Sequence, residues 1–166
     1  MNQKDVSRAN EQVKRIIGSQ GFYIGRAAAM AWMGFVFGDT EYALHVQCSF
    51  RIRDYSEILV TDMEMLEPTE SLLSSESFDY DTFHWDVQGV NRYDEWVRAL
   101  DPALLSTLKV VGARVNSYGD LTVLFEQNIA IEVFANSAAD ECWRLFERGS
   151  LASHLVMLGS GIEEQD

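Results

Sequence analysis

Alternating apolar and polar positions dominate this sequence and predict that strands outnumber helices. The clearest example is the segment 42–53, in which every second residue is apolar over twelve positions. Such period-two alternation is typical of a strand with one buried face, so we predict one long strand here. Residues 57–65 follow a short polar turn and predict a second strand, which would pair with the first as an antiparallel hairpin.

Helical spacing is confined to two parts of the chain. Residues 5–17 place Val6, Val13 and Ile17 near one face and end in basic residues, which predicts an N-terminal helix. Residues 91–100 predict a central helix that Asn91 would cap, and Asp101-Pro102 would then begin another helical turn. The apolar run 27–37 predicts a buried strand, with a buried helix as the alternative.

The remaining segments predict a long loop and further strands. Residues 66–90 contain Pro68, four serines between 71 and 77 and five acids between 67 and 81, which favours a surface loop. Apolar alternation then predicts a meander over 108–115, 121–125 and 129–133, two short strands at 143–146 and 154–158, and a frayed acidic tail at 159–166.

Together these elements predict an α+β fold, with mostly antiparallel sheet, an N-terminal helix and one central helix. The length of 166 residues favours a single domain over 1–166. An alternative organisation has sub-lobes at 1–66 and 91–160, joined by the acidic, serine-rich loop 67–90.

Charge changes this picture, because it is large and uneven. The chain carries 26 acidic and 13 basic residues, a net charge of −13. This argues against partners that need a basic face, namely nucleic acids and anionic membranes. Residues 54–97 hold 12 acidic residues and one basic residue, a net charge of −11, whereas residues 1–53 carry +3 and residues 98–166 carry −5.

The acidic segment supplies one set of candidate binding residues. Asp79, Asp81 and Asp86, with Arg92, would face a basic protein partner. The segment lacks the spacing of a calcium loop and the paired histidines of a zinc helix. We therefore predict no metal site and no cofactor.

The polar face of the strand 42–53 supplies a second set. On this face His45, Gln47, Ser49, Arg51 and Arg53 would form a row with successive side chains about 7 Å apart, and the candidate ligand residues are His45, Gln47 and Arg51, with Arg26 nearby in sequence. Histidine can exchange protons and arginine can hold a carboxylate or phosphate, so this row predicts a small-molecule site. The alternative is the ordinary solvated face of a half-buried sheet.

The sequence contains no G-x-S-x-G, Gly-rich phosphate loop, H-E-x-x-H or G-x-G-x-x-G motif, and no catalytic residue is assigned. Cys48 and Cys142 are far apart, form no C-x-x-C pair and fall at positions that favour buried thiols. The polar start lacks an apolar signal-peptide core, and the longest apolar run is too short to span a bilayer. We therefore expect a cytoplasmic protein.

Four stretches resemble a family of small bacterial proteins of unassigned function. The likeness extends from about residue 15 to residue 160, and the stretches that carry it are Arg26–Trp32, Glu41–Ile52, Trp85–Glu95 and Trp143–Phe146. Where the family pattern has Pro-Trp after the cysteine, this chain has Ser49-Phe50. The resemblance implies a bacterial, cytoplasmic origin and transfers no catalytic or ligand-binding residue.

Three functions follow from these observations. The first is a non-enzymatic interaction protein, such as a toxin-neutralising immunity protein, whose acidic segment meets a basic partner. The alternative is a small-molecule binding protein or enzyme that uses the polar face of 42–53. The third is a structural protein that oligomerises through its strand edges, although the sequence leaves the oligomeric state open.

Overall fold

The computed structural model describes residues 1–163, which form four α-helices, eleven β-strands and short 3-10 helices. The helices are α1 (Gln3–Val13), α2 (Glu70–Leu73), α3 (Arg92–Ala99) and α4 (Pro102–Thr107). The strands are β1 (Phe22–Ala27), β2 (Met30–Phe37), β3 (Thr40–Val46), β4 (Ser49–Arg53), β5 (Ile58–Thr61), β6 (Val110–Val115), β7 (Leu121–Phe125), β8 (Ala130–Phe134), β9 (Glu141–Glu147), β10 (Leu155–Leu158) and β11 (Gly161–Ile162).

The strands form two antiparallel sheets, which makes this an α+β protein as predicted. One sheet has six strands in the order β1-β2-β3-β9-β10-β11, and the other has five in the order β5-β4-β8-β7-β6. Each sheet joins early and late strands, because β3 pairs with β9 and β4 pairs with β8. The sequence ranges 1–66 and 91–160 therefore both contribute to each sheet.

The inner faces of the two sheets share one apolar core. Phe22 of β1 and Phe35 of β2 contact Phe125 of β7, with ring centroids 5.3 and 6.4 Å apart respectively. Trp143 of β9 is fully buried, and its indole N–H donates to the carbonyl oxygen of Gly119 at 2.8 Å. These contacts hold the two sheets together, and the candidate sites lie on the surfaces of this packed structure.

Helix α1 is fixed to the five-stranded sheet by one asparagine. The side-chain amide of Asn10 donates to the carbonyl oxygen of Val115 at 2.9 Å and accepts from the Val115 N–H at 3.0 Å. Ala9 and Val13 on the same helix are fully buried. The helix therefore satisfies backbone groups at the end of β6 while it adds apolar contacts to the core.

The predicted strand over 27–37 is confirmed over Met30–Phe37, which is β2, but it begins later than predicted. The chain turns at Ala28, where φ is +50°, so that β1 and β2 form a tight antiparallel hairpin. A positive φ is unusual for alanine, whose Cβ disfavours it. The continuous apolar run concealed this turn, because alanine carries no turn signal.

The prediction of one continuous strand over 42–53 is wrong, because this segment forms two strands in different sheets, and this correction alters the candidate site. The chain leaves the six-stranded sheet after Val46 and enters the five-stranded sheet at Ser49. The alternation continues across the break because Val46 and Phe50 both face the shared core, although they belong to different sheets. The predicted strand over 57–65 is shorter than expected, since a 3-10 helix follows Thr61.

Other elements are confirmed. The structure contains the N-terminal helix, the β4–β5 hairpin and the β6–β7–β8 meander, and Asn91 caps α3 by accepting from the Asp94 N–H at 2.9 Å. The tail predicted to fray includes Gly161–Ile162, which pair with β10, while 164–166 lie outside the described residues. Over the described chain, no helix has the length and apolar character required to cross a membrane.

Candidate functional site

The four predicted ligand residues do not form one row. His45 lies in β3 between Trp32 and Arg144 of the neighbouring strands, while Gln47 follows β3 and donates to Glu141 at 2.9 Å. Arg51 lies in β4, on the other sheet. Arg51 and its neighbour Arg53 both donate to Glu132 of β8, at 2.5 and 3.0 Å.

Arg26 has a structural role that explains its burial. Its side chain is inaccessible to solvent and donates to Asp94 through Nε at 2.7 Å and through Nη2 at 2.6 Å. It also donates to the carbonyl oxygens of Ala28 and Val87. Arg26 therefore connects the β1–β2 hairpin to α3 and to the acidic loop, and its donors point to these groups rather than to His45 or Arg51.

Asp94 compensates the positive charge of the buried Arg26 side chain. Desolvation would raise the pKa of Asp94, but the hydrogen bonds from Arg26 and from the Gly89 N–H outweigh it and lower the pKa. Gly89 has φ of +87°, which favours glycine at the position that presents this N–H. The motif at 86–95 is thus a loop anchor built around a carboxylate.

The acidic loop 67–90 is held at both ends. The Asn91 side-chain amide donates to the carbonyl oxygens of Met65 and Trp85, at 2.9 and 3.0 Å. Arg92 donates to the carbonyl oxygen of Pro68 and forms an ion pair with Glu70 at 2.6 Å, rather than with Asp86. Arg92 therefore closes the loop base, and its charge is compensated within the chain.

An apolar cleft of about 300 Å³ lies within this acidic loop. Phe78 packs edge-on to Tyr80 with ring centroids 4.9 Å apart, and Phe83 lies 6.2 Å away. Asp79 lines the cleft and accepts from the Asp81 N–H at 3.0 Å. The loop thus combines an aromatic pocket with carboxylates, an arrangement that sequence spacing alone did not predict.

The predicted acidic partner residues are available on this surface. Asp79, Asp81 and Asp86 are exposed, and none of them forms an ion pair with any residue of 1–163. Within the same range no group of three histidine, cysteine or acidic side chains has the geometry to hold a metal ion. These carboxylates therefore present negative charge without an ion-pair partner in 1–163 on the loop that forms the apolar cleft, and Asp79 lines the cleft itself.

A second cleft lies on the outer face of the six-stranded sheet, over Ala43. Tyr23 and Trp32 line one side, with ring centroids 5.7 Å apart. His45 and Phe146 line the opposite side, with centroids 5.0 Å apart and rings at 88°. The four rings surround a space of about 430 Å³.

Two glycines create this aromatic cleft. A Cβ on Gly34 would lie 1.8 Å from the Tyr23 ring, and a Cβ on Gly25 would lie 2.2 Å from the Trp32 ring. The two rings therefore lie flat against the sheet at positions where any other residue would displace them. The cross-strand contact of an aromatic ring with a glycine is a recognised stabilising arrangement in sheets.

Charged groups border the aromatic cleft at each end. Arg148 donates through Nη1 to Glu41 at 2.7 Å and to the Tyr23 hydroxyl at 3.1 Å. At the other end, Arg144 donates through Nε to Glu141 at 2.6 Å. Burial, and then the Arg144 charge, lower the pKa of His45, which favours its neutral form.

The two cysteines show no feature of a catalytic site. Both are free; Cys142 is buried and Cys48 is half-buried. Burial raises the pKa of the Cys48 thiol to about 12, and the adjacent Cys142 contributes to the rise. A thiol that stays protonated is a poor nucleophile.

Sequence reasoning found only His45 among the aromatic cleft residues. The sequence does not disclose how β1, β2 and β9 are placed around β3. These strands supply Tyr23, Trp32 and Phe146, and Arg148 directly follows β9. One signal was present: aromatic and glycine residues alternate at Tyr23, Gly25, Trp32 and Gly34, which is unusual in a strand that only fills a core.

Comparisons with known proteins add no assignment. Searches against protein-family models, curated proteins and solved structures found no significant match to this chain.

Proposed function

We propose that this chain is a non-enzymatic interaction protein that binds a basic partner through its acidic segment, as toxin-neutralising immunity proteins do. The observation that carries the proposal is the apolar cleft in the loop 67–90, which Asp79 lines and whose lining residues Thr82 and Val87 adjoin the exposed Asp81 and Asp86 in sequence. Protein interfaces commonly combine a small apolar centre with a charged rim. The partner surface would then present an apolar side chain flanked by lysine or arginine.

The charge distribution supports the same proposal. Residues 54–97 carry a net charge of −11, and the only basic residue among them, Arg92, is paired with Glu70. A field concentrated on one segment attracts a cationic surface and can raise its association rate about 10- to 1000-fold. The same charge would repel nucleic acids, which we propose are not partners.

A defined pair of peptides stands in for the partner surface and tests the proposal. The probe is a fluorescein-labelled hexapeptide with a central Leu-Phe flanked by two Arg or Lys residues on each side, and its control replaces every basic residue with Glu. We expect fluorescence anisotropy to detect binding of the basic peptide alone. Binding should weaken as salt rises from about 50 to 500 mM, because the Debye length then falls below about 5 Å.

Charge-neutralising variants locate the binding surface. Asp79→Asn, Asp81→Asn and Asp86→Asn combined should weaken peptide binding about 3- to 150-fold, since exposed charge pairs contribute about 0.2 to 1 kcal/mol each. The matched control combines Glu11→Gln, Asp39→Asn and Glu126→Gln, which removes the same charge from exposed positions elsewhere. Equal weakening by both triple variants would show a non-specific charge effect and contradict the proposal.

The pocket contribution is tested separately. Phe83→Ala should weaken binding of the Leu-Phe peptide but leave binding of a peptide with central Gly-Gly nearly unchanged, because only the first fills the cleft. A circular-dichroism melt of the variant checks that the loop substitution has not unfolded the protein. Loss of affinity for both peptides in a folded variant would count against an apolar anchor.

The finer assignments are also proposals. We propose a bacterial, cytoplasmic protein, supported by the family resemblance and by two unpaired thiols at buried or half-buried positions. The toxin-neutralising role predicts that coexpression restores growth to cells that express a toxic product of an adjacent gene. Growth that stays arrested although both proteins accumulate would exclude that role and leave the peptide-binding proposal to its own test.

A further inference from the structure

The aromatic cleft over Ala43 is separate from the acidic segment and has a different chemistry. Its walls are the rings of Tyr23, Trp32, His45 and Phe146, and its floor is a methyl group. Natural ligand sites are concave, mostly apolar and about 300 to 1000 Å³ in volume, with a few polar groups that orient the ligand. The cleft, of about 430 Å³, meets this description.

The walls of the cleft favour a flat ligand. Phe146 is held in place from two sides, because His45 packs edge-on to it and His154 stacks on it at 4.3 Å with an interplanar angle of 16°. Tyr23 and Trp32 are held against glycines on the opposite side. Rings that are fixed before binding lose little entropy when a planar ligand stacks on them.

The polar end of the cleft favours a negative group on that ligand. The Arg148 guanidinium is held by Glu41 and the Tyr23 hydroxyl through Nη1, while 58% of its side chain stays exposed. Its Nε and Nη2 groups donate to no residue of 1–163, and arginine binds carboxylates with directed, charge-assisted hydrogen bonds.

We propose that this cleft binds a small planar aromatic carboxylate, whose ring lies over Ala43 between Trp32 and Phe146 and whose carboxylate meets Arg148. Burial lowers the pKa of His45 and favours its neutral form, so the ligand ring would lie beside an imidazole that carries no charge. The proposal goes beyond the acidic segment, because it concerns a different face and a different ligand class.

A matched ligand pair tests the proposal. The probes are indole-3-acetate and indole-3-acetamide, which share a ring and differ in charge, and cyclohexylacetate, which keeps the charge without an aromatic ring. We expect two-dimensional NMR titrations to shift the amide signals of Ala43, His45 and Phe146 most with indole-3-acetate. The shifts should be weaker with indole-3-acetamide and weakest with cyclohexylacetate.

Variants separate the two contributions. Arg148→Gln should weaken indole-3-acetate binding about tenfold or more, the contribution expected of a charge-assisted hydrogen bond, and should leave indole-3-acetamide nearly unchanged. The control Arg53→Gln removes an equally paired arginine from the other sheet and should affect neither ligand. Ala43→Leu places a larger side chain in the cleft and should abolish binding of both.

Clear outcomes would overturn the proposal. These are an absence of shifts at the cleft up to about 10 mM ligand, well beyond the roughly 1 mM Kd of weak ligands, or equal weakening by Arg148→Gln and Arg53→Gln. If Ala43→Leu fails to fold, Arg148→Gln still decides the question, because its side chain is largely exposed. The combined Asp79, Asp81 and Asp86 variant should bind indole-3-acetate normally, so failure of one proposal leaves the other intact.

Discussion

Arg26 and Asp94, which are 68 residues apart in sequence, form a bidentate ion pair with N···O distances of 2.7 and 2.6 Å. The Arg26 side chain is inaccessible to solvent, and 9% of the Asp94 side chain is exposed. The pair joins β1, at the edge of the six-stranded sheet, to the first turn of α3. It therefore fixes the position of the acidic loop relative to the sheets.

Removing Arg26 should be strongly destabilising. Arg26→Met leaves Asp94 without its cation and the Val87 carbonyl without a donor, and breaking a buried pair from one side costs about 3 to 5 kcal/mol. Urea unfolding followed by circular dichroism measures this loss. Arg53→Met, which breaks a partly exposed pair with Glu132, is the control and should cost below about 1 kcal/mol. Similar losses in the two variants would contradict a structural role specific to Arg26.

The same pair makes stability depend on pH in a defined direction. The pKa of Asp94 in the folded protein lies below its ordinary value of 3.8. Its contribution to the free energy of unfolding is therefore complete at pH values well above 3.8. It is lost as pH falls through the lower, folded-state pKa, where the protein takes up the proton. The difference in unfolding free energy between the wild type and Asp94→Asn should therefore be largest near neutral pH and should vanish in acid.

Urea unfolding at a series of pH values checks this dependence. The measurements should run from about pH 7 down to the lowest pH at which both proteins remain folded. Asp39→Asn, which removes an exposed carboxylate from the β2–β3 turn, serves as the control and should stay close to wild type in stability. A constant difference for Asp94→Asn at every pH would mean that the ionisation of Asp94 does not stabilise the fold.

The sequence predicted the elements that depend on contacts between residues close together in the chain, and it failed where distant strands decide the structure. Local signals were sufficient for α3, where Asn91 caps the first turn, and for the meander of β6, β7 and β8. They failed at Ala28, because a turn through alanine depends on the flanking strands rather than on its own conformational preference. They also failed at Cys48, where the alternation continued although the chain changed sheets.

The candidate sites show the same dependence. The exposed carboxylates of the acidic loop could be identified from composition, because charged residues in a serine-rich loop are normally solvated. The aromatic cleft could not, because it requires β3 to pair with β9, a strand far along the sequence. Arg26 was predicted to be a ligand residue because it lies near the strand 42–53 in sequence, whereas its acidic partner Asp94 lies 68 residues away.

Replacing Gly34 with alanine, which adds a single carbon, should destabilise the fold. In Gly34→Ala the new Cβ would meet the Tyr23 ring at 1.8 Å, so the ring must leave the sheet and its contacts with Glu41 and Arg148. Overpacking of this kind costs about 1 to 3 kcal/mol. Thermal unfolding measures the loss, and displacement of the ring would be visible as a shift of the Ala43 amide signal.

Two further variants test the cause of that loss. Gly112→Ala is the control, since its Cβ would make only ordinary contact with Leu124 at 3.5 Å and should change stability little. The double variant Gly34→Ala with Tyr23→Ala removes the ring that is overlapped, so it should cost less than the sum of its single substitutions. Additive losses would show that the Tyr23 ring is not what makes Gly34 necessary.

The Cys48 thiol should resist alkylation in the folded protein. Its pKa of about 12 leaves almost no thiolate at about pH 8, and the thiolate is the reactive species. We expect iodoacetamide to modify Cys48 at least about a hundredfold more slowly in native protein than in urea, where a free cysteine has a pKa of about 8.5. Peptide mapping by mass spectrometry distinguishes Cys48 from Cys142 without any substitution, and the Cys48 rate should rise only with unfolding. A native rate within about tenfold of the unfolded rate would show that neither burial nor the neighbouring Cys142 thiol protects Cys48 as described.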